Sequence, residues 1–309
     1  MDQPSQTEIT VDNLSLSPSP PQPVQQITKQ RRARIGKIIA YILLSLVAIA
    51  ILLPFFWMLS TSFKEEKGMF VIPPQWLPNP ITLANFQKIL EKTPQTDLPR
   101  AFLNSFFVAI TTTLGEILAS TLAGFAFARI KFPGKQMLFG LLLVTLMIPG
   151  VVTLIPGFIL FKWLGWLESF KPLIIPLLFG TTFAVFLSRQ FFATLPAELE
   201  EAAKIDGANM FQTYLYIFLP LATPIIATLF VLGFIARWND YLGPLIYLGR
   251  AGIENFTIPL ALASLQGTYN LKWTILMAGS TLALLPIIIL FFLFQRYFVE
   301  SIAITGIKG

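Results

Sequence analysis

The chain of 309 residues contains no cysteine and no histidine. The first absence excludes disulfides, thiolate-bound zinc and iron–sulfur clusters. The second removes the side chain that most often serves as general base, metal ligand or proton relay near neutral pH. Charge is scarce too: 12% of residues are acidic or basic, against roughly 25% in a soluble domain. No Walker A glycine–lysine loop and no nucleic-acid-binding motif is present. An enzyme is not expected, and neither is a cofactor held by this chain. What is abundant is apolar surface, with 55% hydrophobic residues, 29 of them Phe, and a mean hydropathy of +0.70. Such a composition specifies an all-α polytopic membrane protein. The net charge of +6 comes from Lys and Arg flanking apolar runs, as basic cytoplasmic segments do.

Residues 1–28 are rich in Pro, Ser, Gln and Thr and are expected to form a disordered cytoplasmic tail. The basic residues Lys29, Arg31, Arg32, Arg34 and Lys37 then precede an apolar run over 38–59, too long for a signal-peptide core, which reads as a retained first span. The Pro-rich segment 60–99 is expected outside, with a short helix over 82–90 and Trp76 and Phe86 as interfacial anchors. A second span, 100–128, ends in a turn carrying Arg129, Lys131 and Lys135 without an acid, which places that turn inside. A third, 136–161, carries Pro149, Gly150, Pro156 and Gly157 and is expected to bend. Spans over 172–192, 218–235 and 273–298 complete six, with a second outer loop at 249–270 and both termini cytoplasmic.

The polar segment 194–219 is a loop between spans, yet it reads as a helix. Thr194 and Pro196 are starting residues, and Glu198, Glu200 and Glu201 put negative charge on the positive end of the helix dipole. Gly207 is placed to end it. Glu201-Ala202-Ala203, Asp206-Gly207-Ala208 and Ile217-Phe218-Leu219-Pro220 together resemble the EAA loop of ABC-importer permeases. The closest likeness is to the binding-protein-dependent carbohydrate branch, the family of the six-helix maltose-transporter membrane subunit. Asn104-Ser105, Met147-Ile148-Pro149-Gly150 and Gln295-Arg296-Tyr297 with Gly306-Ile307-Lys308-Gly309 are similar to that family as well.

The resemblance implies a type I importer permease domain over 29–309 in a bacterial inner membrane. Its partners would be an ABC ATPase dimer binding ATP and magnesium, a second permease subunit, a solute-binding protein and lipid. The solute implied is a sugar, oligosaccharide, polyol or glycoside. It also implies that Glu198, Glu201, Ala202, Ala203, Asp206 and Gly207 form a coupling helix, with Glu201 as polar contact and the small residues packing closely. The tail after 306 would reach the ATPase interface, and the loop 255–270 the binding protein.

Two polar clusters stand apart. Glu116 in the second span reads as a buried acid facing the bundle, with Thr111 to Thr113 and Ser120 as partners. Arg237, Asn239 and Asp240 read either as an ion pair at the outer end of the fifth span or, with Trp238 and Tyr241, as a substrate path able to stack on a sugar ring. A stand-alone secondary transporter or channel using Glu116 and Asp240 is the alternative function.

Overall fold

The computed structural model describes residues 23–68, 71–266 and 272–306, with side chains over 34–68, 71–266 and 272–296. Among the described residues every regular element is helical. The chain divides into two units, 1–56 and 57–309. The first contains most of α1, Pro23–Ser62, one continuous helix that includes the whole basic cluster. The helix takes in the last residues of the expected tail; residues 1–22 lie outside the described ones.

In the second unit, α2 (Ala84–Leu90) precedes α3 (Leu98–Arg129), and α4 (Lys135–Thr145) and α5 (Leu154–Trp163) follow. α6 (Lys171–Leu178) and α7 (Thr182–Thr194) make one span around Gly180. Next come α8 (Glu198–Ile205), α9 (Met210–Thr213), α10 (Leu219–Leu221), α11 (Thr223–Trp238), α12 (Leu242–Leu248), α13 (Ile258–Gln266) and α14 (Trp273–Gly306). Four helices are long and apolar enough to cross a membrane: 34–62, 98–129, 171–194 and 273–296. Two bent pairs, 135–163 turning by 90° and 210–238 by 75°, raise the number to six if each is one span. The first bend falls at Pro149, whose missing N–H and fixed φ interrupt the helical ladder. The second falls at Ala222, between Pro220 and Pro224. Helix therefore begins at Met210, eight residues before the expected fifth span, and passes through a π turn at Tyr214–Phe218.

α3 is the hub, packing against α6, α7, α11 and α13. Its contact with α7 is close because Gly124 has no side chain: a Cβ there would stand 2.5 Å from the Ser188 Cβ. Small residues at such crossings let backbones approach in lipid, where dispersion replaces the hydrophobic effect. At one end of the bundle Phe125, Phe192, Tyr214 and Phe218 form an aromatic core, and Tyr214 shares a hydrogen bond of 2.9 Å with Thr121. The Arg129 guanidinium donates to the carbonyls of Phe192 and Leu195, fastening the ends of α3 and α7 together.

At the other end the Asn104 amide donates to the carbonyls of Glu254 (2.8 Å) and Phe256 (3.0 Å), and Ser105 accepts from the Ile258 amide. The Asn85 amide likewise donates to the carbonyls of Ser62 and Lys64, while its oxygen accepts from Thr274. Lys64 is buried, with its ammonium 4.0 Å from the Trp57 ring and donating to the Gln75 carbonyl; burial lowers its pKa. Trp76 meets Trp57 edge to face. The described parts of 60–99 and 249–266 are thus folded onto the bundle. α13 buries Ile258, Leu260 and Ala261, while residues 267–270 lie outside the described ones.

Candidate functional site

α8 follows α7 directly at the Arg129 end. Its first turn carries Glu198, Glu200 and Glu201 without a side-chain cap, so charge on the helix dipole replaces a capping hydrogen bond. Neither Thr194 nor Pro196 caps it; the capping position is Ala197. Glu200 and Lys204 pair at 3.1 Å across one turn. Gly207, at φ +80°, ends the helix, with the Ala208 amide donating to the Ala203 carbonyl and the Gly207 amide to that of Lys204. The site of a Cβ on Gly207 is open within this chain, and the glycine serves the left-handed turn.

The phase of α8 divides its residues. Leu199 packs against the aromatic core and Ala203, one turn on, is buried. Glu198, Glu201, Ala202 and Ile205, at helical spacing on another face, are exposed, as are Asp206 and Gly207. Ala203 therefore belongs to the chain's own packing, not to the outward stripe. Ile205, 86% exposed, belongs to that stripe and was missed from sequence. Its signal was one apolar side chain out of phase with Leu199 and Ala203. Beside α8 lies a cleft of 560 Å³ lined by Arg129, Lys131, Glu201, Lys204 and Met210.

Glu116 is buried between α3, α7 and α11. Its carboxylate pairs with Arg237 at 2.9 Å and accepts from the Thr181 hydroxyl. The expected partners are elsewhere: Thr112 donates to Val108 and Ala109 carbonyls, and the Thr113 and Ser120 hydroxyls have no partner among the described residues. Arg237 also does not pair with Asp240. It folds back along α11, donating to the Gly233 carbonyl on its way to Glu116. Asp240 instead accepts from the Gly243 amide at the start of α12.

Trp238 is fully buried against Phe102, Phe106 and Phe234, and its indole N–H donates to the Ala283 carbonyl. It is a packing residue and offers no face to a sugar. Asn239 and Tyr241 are exposed. Asp240 lines a cavity of 610 Å³ together with Arg237, Tyr247 and Thr257 among leucines, prolines and Phe161. Of the four residues expected on a substrate path, it is the one that lines this cavity. Asp240 stands just past α11; burial raises its carboxyl, while the amides of Gly243 and Leu242 and the Arg237 charge act the other way. Burial and then the Asp240 charge raise the Tyr247 phenol. Among the described residues no cluster of acids could hold a metal ion.

The profile of a family described as binding-protein-dependent transport system inner membrane component matches residues 112–304. A probable ABC transporter permease protein of Bacillus subtilis is 32% identical over 304 residues, covering 96% of this chain and 98% of the relative. A lactose transport system permease protein of Rhizobium radiobacter is 33% identical, covering 87% of this chain and 96% of its own length. An sn-glycerol-3-phosphate transport system permease protein of Agrobacterium fabrum is also 33% identical, covering 88% of this chain and 97% of its own. Among solved structures, a chain from a bacterial ABC transporter importing the acidic polysaccharide alginate superposes with a TM-score of 0.77 at 23% identity, covering 87% of this chain and 98% of that one.

Proposed function

This chain belongs to the binding-protein-dependent transport system inner membrane components, and from that premise we propose that it carries a sugar or sugar-like solute across the membrane, driven through α8 by a separate ATPase. It is a transport permease and not an enzyme. The relative named for lactose supports a small polyhydroxyl solute. The observation that carries the coupling role is the stripe Glu198, Glu201, Ala202 and Ile205, exposed on a helix whose other face packs Leu199 against the core and buries Ala203. An exposed isoleucine flanked by acids suits a partner's apolar pocket with a basic rim. A helix fastened on one side and docked on the other transmits a partner's movement to the spans, because a ligand shifts an equilibrium only through different affinities for its two states.

The partners proposed are an ABC ATPase dimer, where ATP and magnesium would bind, a solute-binding protein and a second, non-identical permease subunit. The α8 end and both termini are placed in the cytoplasm, and segments 60–99 and 249–270 outside, following the basic residues 129–135 and 29–37. A secondary transporter built on Glu116 is disfavoured, since Arg237 and Thr181 already occupy that carboxylate. The test is reconstitution. Proteoliposomes holding the chain with its ATPase and second permease subunit should take up solute only with ATP inside and binding protein outside. Gradient-driven uptake by the chain alone would overturn the reading.

A further inference from the structure

We propose that the cavity beside Asp240 is a solute-holding site on this chain, built for uncharged polyhydroxyl solutes and closed to anionic ones. The proposal rests on the transport reading above and specifies which chemistry the chain itself selects. The cavity, 610 Å³, is walled by parts of α3, α5, α6, the end of α11, α12 and the residue before α13. Most of its lining is leucine, proline and valine, with Phe161 and Tyr247 packed edge to face at 5.3 Å. A mainly apolar wall with a few fixed polar groups is what a sugar, with its apolar ring faces and rim of hydroxyls, requires.

The polar groups are unevenly satisfied. Thr257 lines the cavity, and its hydroxyl is buried without a hydrogen-bond partner among the described residues. A buried hydroxyl left unpaired is unfavourable, and turned into the cavity about χ1 it would gain a solute hydroxyl as partner. One Asp240 oxygen accepts from the Gly243 amide; the carboxylate has no ion-pair partner among the described residues and is placed to accept from a solute hydroxyl.

Charge then decides between solutes. Among the described residues Arg237 is the one cation lining the cavity, and its guanidinium contacts Glu116 and the Gly233 carbonyl. Arg237 is paired with Glu116, which leaves Asp240 as the acid on the cavity wall with no ion-pair partner among the described residues. An anionic sugar entering meets that charge across a poorly screening apolar surface, whereas a neutral polyol donates to it.

The chain's lack of cysteine allows a direct test. Thr257→Cys is placed in the complete importer in proteoliposomes, with Gln95→Cys, on an exposed loop, as reference. Each is modified with a cationic and an anionic methanethiosulfonate of similar size. Relative to the reference, Cys at 257 should react about tenfold faster with the cation, and Asp240→Asn should abolish that preference. A mixture of lactose, maltose and arabinobiose should slow the reaction, and sn-glycerol 3-phosphate should not. Tyr247→Cys, on the α12 wall, is read in the same way should the first variant assemble poorly. Equal or faster reaction with the anion, no reaction at either position, or protection by the phosphate alone would overturn the proposal. ATP-driven uptake by the same complex is scored separately. A complex that transports yet shows any of those three results refutes the cavity and leaves the permease reading standing.

Discussion

At the residue scale the governing fact is the Glu116–Arg237 pair, buried between α3 and α11. Removing one member of a buried pair leaves the other charge without compensation and typically costs about 3–5 kcal/mol, while replacing both by apolar groups is often neutral. Glu116→Gln should therefore sharply lower the melting temperature of the detergent-solubilised protein, and the double variant Glu116→Leu, Arg237→Met should recover most of it. A Glu116→Gln chain of parental stability would show that the pair is not structural. Asn104→Ala strips the side chain that donates to the Glu254 and Phe256 carbonyls, a loss of about 1–3 kcal/mol. Hydrogen exchange should accelerate locally at residues 253–258, leaving α8 unchanged. The polar residues themselves were legible in the sequence, but their partners were not. Glu116 and Arg237 lie far apart in the chain, and a nearest-neighbour reading gave each the wrong partner. Trp238 was misplaced for a related reason: its polar neighbours Arg237 and Asn239 hid the fact that its own direction along α11 is into Phe102 and Phe106.

At the scale of elements, bends and termini were readable because proline and glycine act through local geometry. Pro149 and Gly207 interrupt helices where the sequence places them. The phase of α8 was not readable, since both of its faces carry small residues and only contact with the core tells them apart. Substitutions two residues apart separate the faces. Ala203→Leu adds bulk at a buried position, and overpacking there costs about 1–3 kcal/mol, so abundance and thermal stability should fall. Glu201→Lys and Ile205→Lys alter exposed positions and should leave folding intact. Gly207→Ala should destabilise the end of α8 by about 1 kcal/mol through its positive φ alone, because no atom crowds the site. This is read as faster amide exchange at Gly207 and Ala208. If Ala203→Leu is harmless while Ile205→Lys unfolds the protein, the assigned phase is inverted.

At the scale of the whole molecule, α3 ties two polar ends together across an apolar bundle. One end is built on Arg129, Phe192 and α8, the other on Asn104, Asn85 and α13. The all-helical polytopic class was legible because long apolar runs admit few alternatives. The folding of the Pro-rich 60–99 segment onto the bundle was not, since it depends on carbonyls of one segment meeting amides of another. A reporter inserted near Pro78 should be exported, and tags at both termini should remain inside; a cytoplasmic reading at Pro78 would reverse the orientation. The central claim is that the exposed face of α8 couples this permease to its ATPase. Its most direct measurement is retention of the ATPase by affinity-purified Ile205→Lys and Glu201→Lys chains, together with solute-stimulated ATP hydrolysis after reconstitution. The account predicts variants of normal abundance that lose the ATPase or hydrolyse ATP without uptake. Variants that retain the ATPase and transport at the parental rate would contradict it.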